Sequence, residues 1–206
     1  MSDSIVPMTP RFAEAFVFAE RLHCAQERKK TQVPTISHLM AVTALVLENG
    51  GGEDEAIAAL LHDTAEDCGG RPALEEIRRR FGDSVASIVE DCSDTLENPK
   101  PRWQPRKESY LEHLETAPES TLLVSLADKV HNVRSLAFEY RRVGDRLWQR
   151  FTASQEQTIW YYQSLLSIFR RRCPDQHRPL VNELSRALRD LKTLMRRGGD
   201  KRASSA

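Results

Sequence analysis

No apolar run in this 206-residue chain approaches the ~20 consecutive residues that a membrane-spanning helix requires. The opening stretch, MSDSIVPMTP, has no basic segment followed by an apolar one, so no secretory signal is expected. Cysteine is sparse: Cys24, Cys68, Cys92 and Cys173 lie far apart with no C-x-x-C pair. With no signal segment, free thiols in a reducing cytoplasm are the expectation. Excess charge is missing too. Thirty Lys+Arg balance thirty Asp+Glu, which removes the electrostatic footprint of a nucleic-acid binder. Strand signals are nearly absent, with no sustained alternation and no Asn-Gly or Asp-Gly turn between alternating segments. No repeat period is found.

What is present is helical periodicity. Residues 11–29 place Phe12, Ala15, Phe16, Ala19, Leu22 and His23 on one face. After a short loop with Pro34, Thr35 or Ser37 is positioned to cap a second helix through Glu48, which Gly50, Gly51 and Gly52 end. Glu53 and Asp54 open a third helix with acids at its N-terminus, and Gly69 and Gly70 stop it. Pro72 fits the first turn of a helix through Phe81, and Asp83 is expected to cap another through about Ser93. Residues 94–106, DTLENPKPRWQPR, hold three prolines and read as a loop. Helices follow at roughly 106–116, 119–140, 152–172 and 178–197. The expected fold is all-α: an N-terminal extension at 1–10, one domain over 11–197 with C-terminal helices at 152–197, and a flexible tail at 198–206.

Residues 60–70, LLHDTAEDCGG, raise the functional question. An apolar helix ends in His62, Asp63, Glu66 and Asp67, which helical spacing puts on adjoining faces. One reading is a helix end that has reached solvent; acids at a C-terminus oppose the macrodipole, so it explains them poorly. The other is a metal site, because buried charges need partners or metals. A second apolar helix, LLVSLADKVHNVR, is interrupted by Asp128 with Asn132 one turn on and His131 beside it. His38 begins a third in TISHLMAV, where a lone histidine is a cap, a satisfied core residue or a ligand. Together, two histidines and two aspartates from three apolar helices supply mixed nitrogen and oxygen ligation. That set suits Mn²⁺, Fe²⁺ or Mg²⁺ better than a closed structural Zn²⁺ site, and four protein ligands leave positions open for water and substrate.

At these residues the chain resembles the HD superfamily of metal-dependent phosphohydrolases, whose signature is a histidine, an adjacent His-Asp pair and a distant aspartate. The segments RKKTQVPTISH, AALLHDTAED and LADKVHN are similar to the hydrolase domain of RelA/SpoT-type enzymes, and most to the stand-alone small alarmone hydrolases. The resemblance spans about residues 11–170. It implies that His38, His62, Asp63 and Asp128 hold one divalent ion, Mn²⁺ before Fe²⁺, Mg²⁺ or Zn²⁺. It implies that Glu66 and Asp67 orient and deprotonate the attacking water, and that Arg28, Lys29 and Asn132 contact the nucleotide. His23 matches a family position and is expected to be structural support. The segment before the first ligand departs from the family's Pro-Tyr-x-x-His-Pro, reading Pro34-Thr35-Ile36-Ser37-His38-Leu39, which is expected to reshape the wall of the nucleotide pocket.

The activity the resemblance implies is hydrolysis of guanosine-3′,5′-bis(diphosphate) at its 3′-pyrophosphate. The alternatives are an HD-type phosphatase or phosphodiesterase acting on another nucleotide or dinucleotide, and a non-enzymatic nucleotide-sensing scaffold. Lys129 has two readings, a phosphate contact or an exposed helix lysine. Arg78–Arg80, Arg170–Arg172 and Arg196–Arg197 read as solvated helix faces, without the interleaved aromatics of single-strand binders. Of Trp160, Tyr161 and Tyr162, at least two are expected in the core. The expected partner is a small nucleotide, with no nucleic acid and no membrane, in a cytoplasmic protein for which a homodimer is plausible.

Overall fold

The computed structural model describes residues 7–28, 31–97 and 99–203, the side chains of 198–203 excepted. Ten α-helices lie among them: α1 Pro10–His23, α2 Ile36–Glu48, α3 Glu53–Leu61, α4 Thr64–Cys68, α5 Arg71–Phe81, α6 Asp83–Cys92, α7 Trp103–Leu114, α8 Glu119–Val143, α9 Gln155–Arg172 and α10 Arg178–Ala203. Short 3₁₀ segments at Gly144–Arg150 and Asp175–His177 join the last three. There is no strand among the described residues, only an isolated bridge between Glu27 and Pro34. The architecture is all-α, as the missing strand signals predict.

Two helices form the centre. From Ala56 to Leu61 every residue of α3 is buried, so this helix is covered on all sides. Ile57, Leu60 and Leu61 each contribute about 1.5–3 kcal/mol by burial. In α8, residues 121–130 are buried without interruption, and the helix packs against α2, α3, α6, α9 and α10. A continuous buried run in each helix means any polar group within it faces protein rather than water. Asp128 and Lys129 are two such groups.

Local chemistry sets the ends. Thr9 Oγ1 accepts from the Arg11 N–H at 3.2 Å to cap α1, and Ser154 with Gln157 forms a capping box on α9. Glu53 and Asp54 open α3 as expected, both paired with Arg11. Pro72 sits in the first turn of α5. Asp83 does not cap α6: it is the first residue inside that helix, Gly82 holds the cap position, and no side-chain cap bond forms. Neither Thr35 nor Ser37 caps α2: no side-chain cap bond forms, and Ser37 Oγ donates to the Pro34 carbonyl at 2.8 Å.

Several boundaries differ from the periodicity; α7 begins at Trp103, inside the 94–106 segment expected to be a loop, and α9 at Gln155 rather than about 152. The helix expected over 11–29 ends at His23, because Gln26–Arg28 offer no apolar face to bury. There the chain turns into a loop closed by Arg28 N–H to Val33 O at 2.8 Å and Thr35 N–H to Gln26 O at 3.0 Å. The single helix expected to run to the glycines breaks at His62–Asp63 into α3 and α4. At the C-terminus α10 continues to Ala203, past the tail boundary expected at 198. Tyr161 and Tyr162 are buried and Trp160 is partly exposed, matching the expectation of two in the core.

Candidate metal and substrate site

The break between α3 and α4 aims His62. The imidazole reaches back to the Ala59 carbonyl through Nδ1 at 2.8 Å. A carbonyl only accepts, so Nδ1 carries the hydrogen and Nε2 is the free ligand atom. That atom stands 3.2 Å from His38 Nε2, and Asp128 Oδ1 lies 3.1 Å from His38 Nε2 and 3.6 Å from His62 Nε2. The ligand atoms of His38, His62 and Asp128 all fall within 4.8 Å of one another. Asp63 completes the group, with Oδ1 3.3 Å from His62 Nε2 and Oδ2 3.5 Å from His38 Nε2.

The separations test the fit to an ion. Neighbouring ligands on a six-coordinate ion with bonds of ~2.1 Å stand ~3 Å apart. The spacings of 3.1–3.6 Å match that requirement. Two imidazole nitrogens facing each other across 3.2 Å also need a cation or a proton between them. The residues present fit a divalent metal.

Burial and the neighbouring charges set the protonation of these groups. Burial pushes the His38 ring down to about 3 despite its hydrogen bond to Asp128. His62 is pushed down by burial as well, but Asp63 and Asp128 outweigh it and lift the ring to about 9. Burial raises Asp128, yet Lys129 and the hydrogen bonds from His38 and His62 hold it well below the usual carboxylate range. Asp63 is lowered likewise, burial being outweighed by His62 and His38.

A ring of supporting contacts orients these groups. Lys129 is neither exposed nor free for phosphate: it is buried, donates to Asp128 Oδ2 at 2.6 Å, and sits 4.9 Å over the Tyr110 ring. The tight pair leaves Asp128 Oδ1 as the atom facing the histidines. Asn132 Nδ2 donates to that oxygen at 2.5 Å, and Arg28 Nη2 donates to Asn132 Oδ1 at 2.5 Å. Arg28 Nη1 is 3.8 Å from Asp63. Lys29 lies outside the described residues. His131 Nδ1 is 2.7 Å from His38 Nδ1, a contact that sequence reasoning missed. A histidine three residues after Asp128 was its only signal. His23 bridges Gln26 Oε1 at 2.6 Å and Thr64 Oγ1 at 3.1 Å, a buried support below α4.

The acidic pair is held from another side. Glu66 takes Lys100 Nζ at 2.8 Å, Arg106 Nη1 at 3.6 Å and the Asp94 N–H at 3.1 Å, while Asp67 takes Lys100 Nζ at 3.1 Å. Arg106 and Lys107 both pair with the buried Asp94. Among the described residues no side-chain bond joins Glu66 or Asp67 to the four-group cluster. The proline-rich segment therefore folds onto the acids through Lys100, a contact its sequence did not announce.

Next to the cluster opens a pocket of about 430 Å³, which Arg28, His131 and Asn132 share with it. Arg134, Arg142 and Arg150 line the rest with Phe138, Glu139 and Phe151. Val33 and Ser37 supply the wall that the sequence departure was expected to alter. Thr35 and Leu39 are instead buried in the core, 6% and 0% exposed, so those two changes do not touch the pocket.

The profile described as HD domain matches residues 15–160. The chain belongs to the HD-domain family. A Xenopus tropicalis relative named guanosine-3′,5′-bis(diphosphate) 3′-pyrophosphohydrolase MESH1 is 40% identical over 126 residues, covering 60% of this chain and 68% of the relative. The human protein of the same name is 36% identical over 126 residues, with the same coverage of 60% and 68%. The HD-domain chain also overlays a solved structure described as a metazoan ortholog of SpoT that hydrolyzes ppGpp. Its TM-score is 0.71 at 24% identity, covering 89% of this chain and 96% of that one, which shows a shared fold. No helix among the described residues is long and apolar enough to cross a membrane.

Proposed function

We propose that this HD-domain protein is a metal-dependent guanosine-3′,5′-bis(diphosphate) 3′-pyrophosphohydrolase, releasing GDP and pyrophosphate. The observation that carries the reading is the junction of two features: the His38–His62–Asp128 group with Asp63 beside it, and a pocket with four arginines opening next to it. An arginine-lined pocket suits a ligand with several phosphates. The names of the MESH1 relatives point to the same substrate.

In this reading His38, His62, Asp63 and Asp128 hold one divalent ion, for which Mn²⁺ suits the mixed nitrogen and oxygen set. When bound, such an ion supplies Lewis acidity to a phosphoryl oxygen and lowers the pKa of a coordinated water. His131 orients His38, and Lys129 fixes which Asp128 oxygen is presented. Arg28 and Asn132 sit between cluster and pocket, where the sugar and phosphates pass. Glu66 and Asp67 take the proton from the attacking water, which requires Lys100 to leave them. Incoming phosphate is a competing partner for that ammonium. The water's hydroxyl goes to the departing pyrophosphate and the 3′ oxygen regains a proton. Free Cys24, Cys68, Cys92 and Cys173 support a cytoplasmic setting.

The test is to incubate the protein with Mn²⁺ and guanosine tetraphosphate and to identify the products. Release of GDP and pyrophosphate, abolished by chelation, is expected. Asp63→Asn should lose at least about tenfold in turnover and in metal affinity. Full Mn²⁺-dependent turnover by that variant would show that Asp63 is no ligand. A metal-loaded protein that leaves the alarmone intact would point to another nucleotide. A protein that takes up no metal and turns over no phosphoester would be a scaffold.

A further inference from the structure

The pocket contains one acid. Among the described lining residues Glu139 is the single carboxylate, set among Arg28, Arg134, Arg142 and Arg150. On α8 it stands seven residues beyond Asn132, two helical turns or ~10 Å along the axis. That puts it at the end of the pocket away from the metal cluster, at a distance comparable to the span of a nucleoside.

Its geometry is well defined. The side chain is 12% exposed; Arg142 Nη1 donates to Oε1 at 2.8 Å and Arg150 Nη1 to Oε2 at 3.0 Å. Each oxygen therefore uses one lone pair on an arginine and keeps another for a ligand. A carboxylate in a pocket for polyphosphates repels the ligand's charge unless the ligand also brings donors. Phosphates have none at neutral pH. A base does, and guanine presents N1–H and N2–H₂ side by side, spaced for the two oxygens of one carboxylate. Adenine places an acceptor, N1, where the first of those donors would be. Phe138, 59% exposed although large and apolar, and Phe151 line the same region and give flat apolar surface for a ring.

We propose that Glu139, held by Arg142 and Arg150, reads the N1–H and N2–H₂ edge of guanine and sets the base specificity of the site. The inference rests on the nucleotide reading of the pocket given above. Its rival is a purely structural Glu139 that ties the 3₁₀ segment to α8 and leaves base preference unchanged.

Binding separates the two without relying on turnover. GDP, IDP and ADP are titrated calorimetrically into the Mn²⁺-loaded protein; IDP keeps N1–H and lacks the N2 amino group. GDP should bind roughly tenfold or more tighter than ADP, with IDP between them. Glu139→Gln should bring all three within about threefold while the melting temperature stays within a few degrees. Should that variant not fold, Glu139→Asp, which keeps the charge and withdraws the oxygens, should lose the same preference. Equal binding of the three nucleotides by the wild type, or an unchanged order in the variants, overturns the proposal. Preference lost in the variants, in a protein that leaves guanosine tetraphosphate intact, would support Glu139 as the reader and sink the proposed reaction instead.

Discussion

His62 commits its Nδ1–H to Ala59, so whatever happens to its charge happens at Nε2, the atom facing the other ligands. Asp63 and Asp128, outweighing burial, lift the ring to about 9, so at pH 7 the metal-free ring is protonated. His38, pushed by burial to about 3, is already neutral there. A metal must therefore displace one proton, from His62, at any pH below about 9. Apparent metal affinity should tighten by about tenfold per pH unit between 7 and 8. Competition with a chromophoric chelator at the two pH values measures it, and an affinity flat with pH would show that His62 is neutral before the metal arrives. The four candidate ligands were visible in the sequence as polar residues inside apolar runs, which carry a cost that demands an explanation. Lys129 was not. Its neighbours in sequence are apolar, but a lysine's long stem lets it end in water or in the core, and only the position of Tyr110 and Asp128 decides.

At the level of elements, the informative failure is the broken helix. Periodicity reads the apolar run and the acids after it as one helix, since His62 and Asp63 keep right-handed helical dihedrals and leave the spacing of residues unchanged. The structure instead ends α3 at Leu61 and starts α4 at Thr64, with the His-Asp pair between them still at right-handed helical dihedrals, and Gly69 and Gly70 turn the chain before α5. Gly70 has φ +63° and ψ −137°, a conformation costly for any residue with a Cβ, and such a Cβ would lie 3.1 Å from the Leu96 carbonyl. Gly70→Ala should therefore cost about 1–3 kcal/mol in chemical denaturation. Its effect should also reach Glu66 and Asp67, because Leu96 belongs to the segment that carries Lys100. A variant as stable as the wild type would mean that the turn relaxes freely. The helix over 119–140 was legible within a few residues because its apolar pattern is long. The loop that brings Arg28 to Asn132 was not, because its closing bonds are between backbone groups.

Across the whole molecule, zero net charge conceals an uneven distribution. The exposed arginines of α5 are matched by Glu76, Asp83 and Glu90 and contribute little to stability. The pocket is lined by four arginines, of which Arg142 and Arg150 pair with Glu139, Arg134 with Glu183, and Arg28 stands beside Asp63. For a tetraphosphate substrate KM should rise several-fold between about 50 mM and 300 mM salt with kcat nearly constant, because screening weakens capture rather than chemistry. Steady-state kinetics at the two ionic strengths would show it, and a constant KM would place the phosphates away from the arginines. Fold class and helix order could be read from composition and periodicity alone; the pocket could not, since it joins the loop after α1 to the last turns of α8. The positions of the ligands on the chain have one more consequence. His38 belongs to α2, His62 and Asp63 to the α3–α4 junction, and Asp128 to α8, so a single ion would bridge three remote parts of the chain in a protein whose four cysteines are all free. It would then act as a reversible cross-link, taking conformational freedom from the unfolded chain as a disulfide does, and the cell's supply of the metal would set the protein's lifetime as well as its activity.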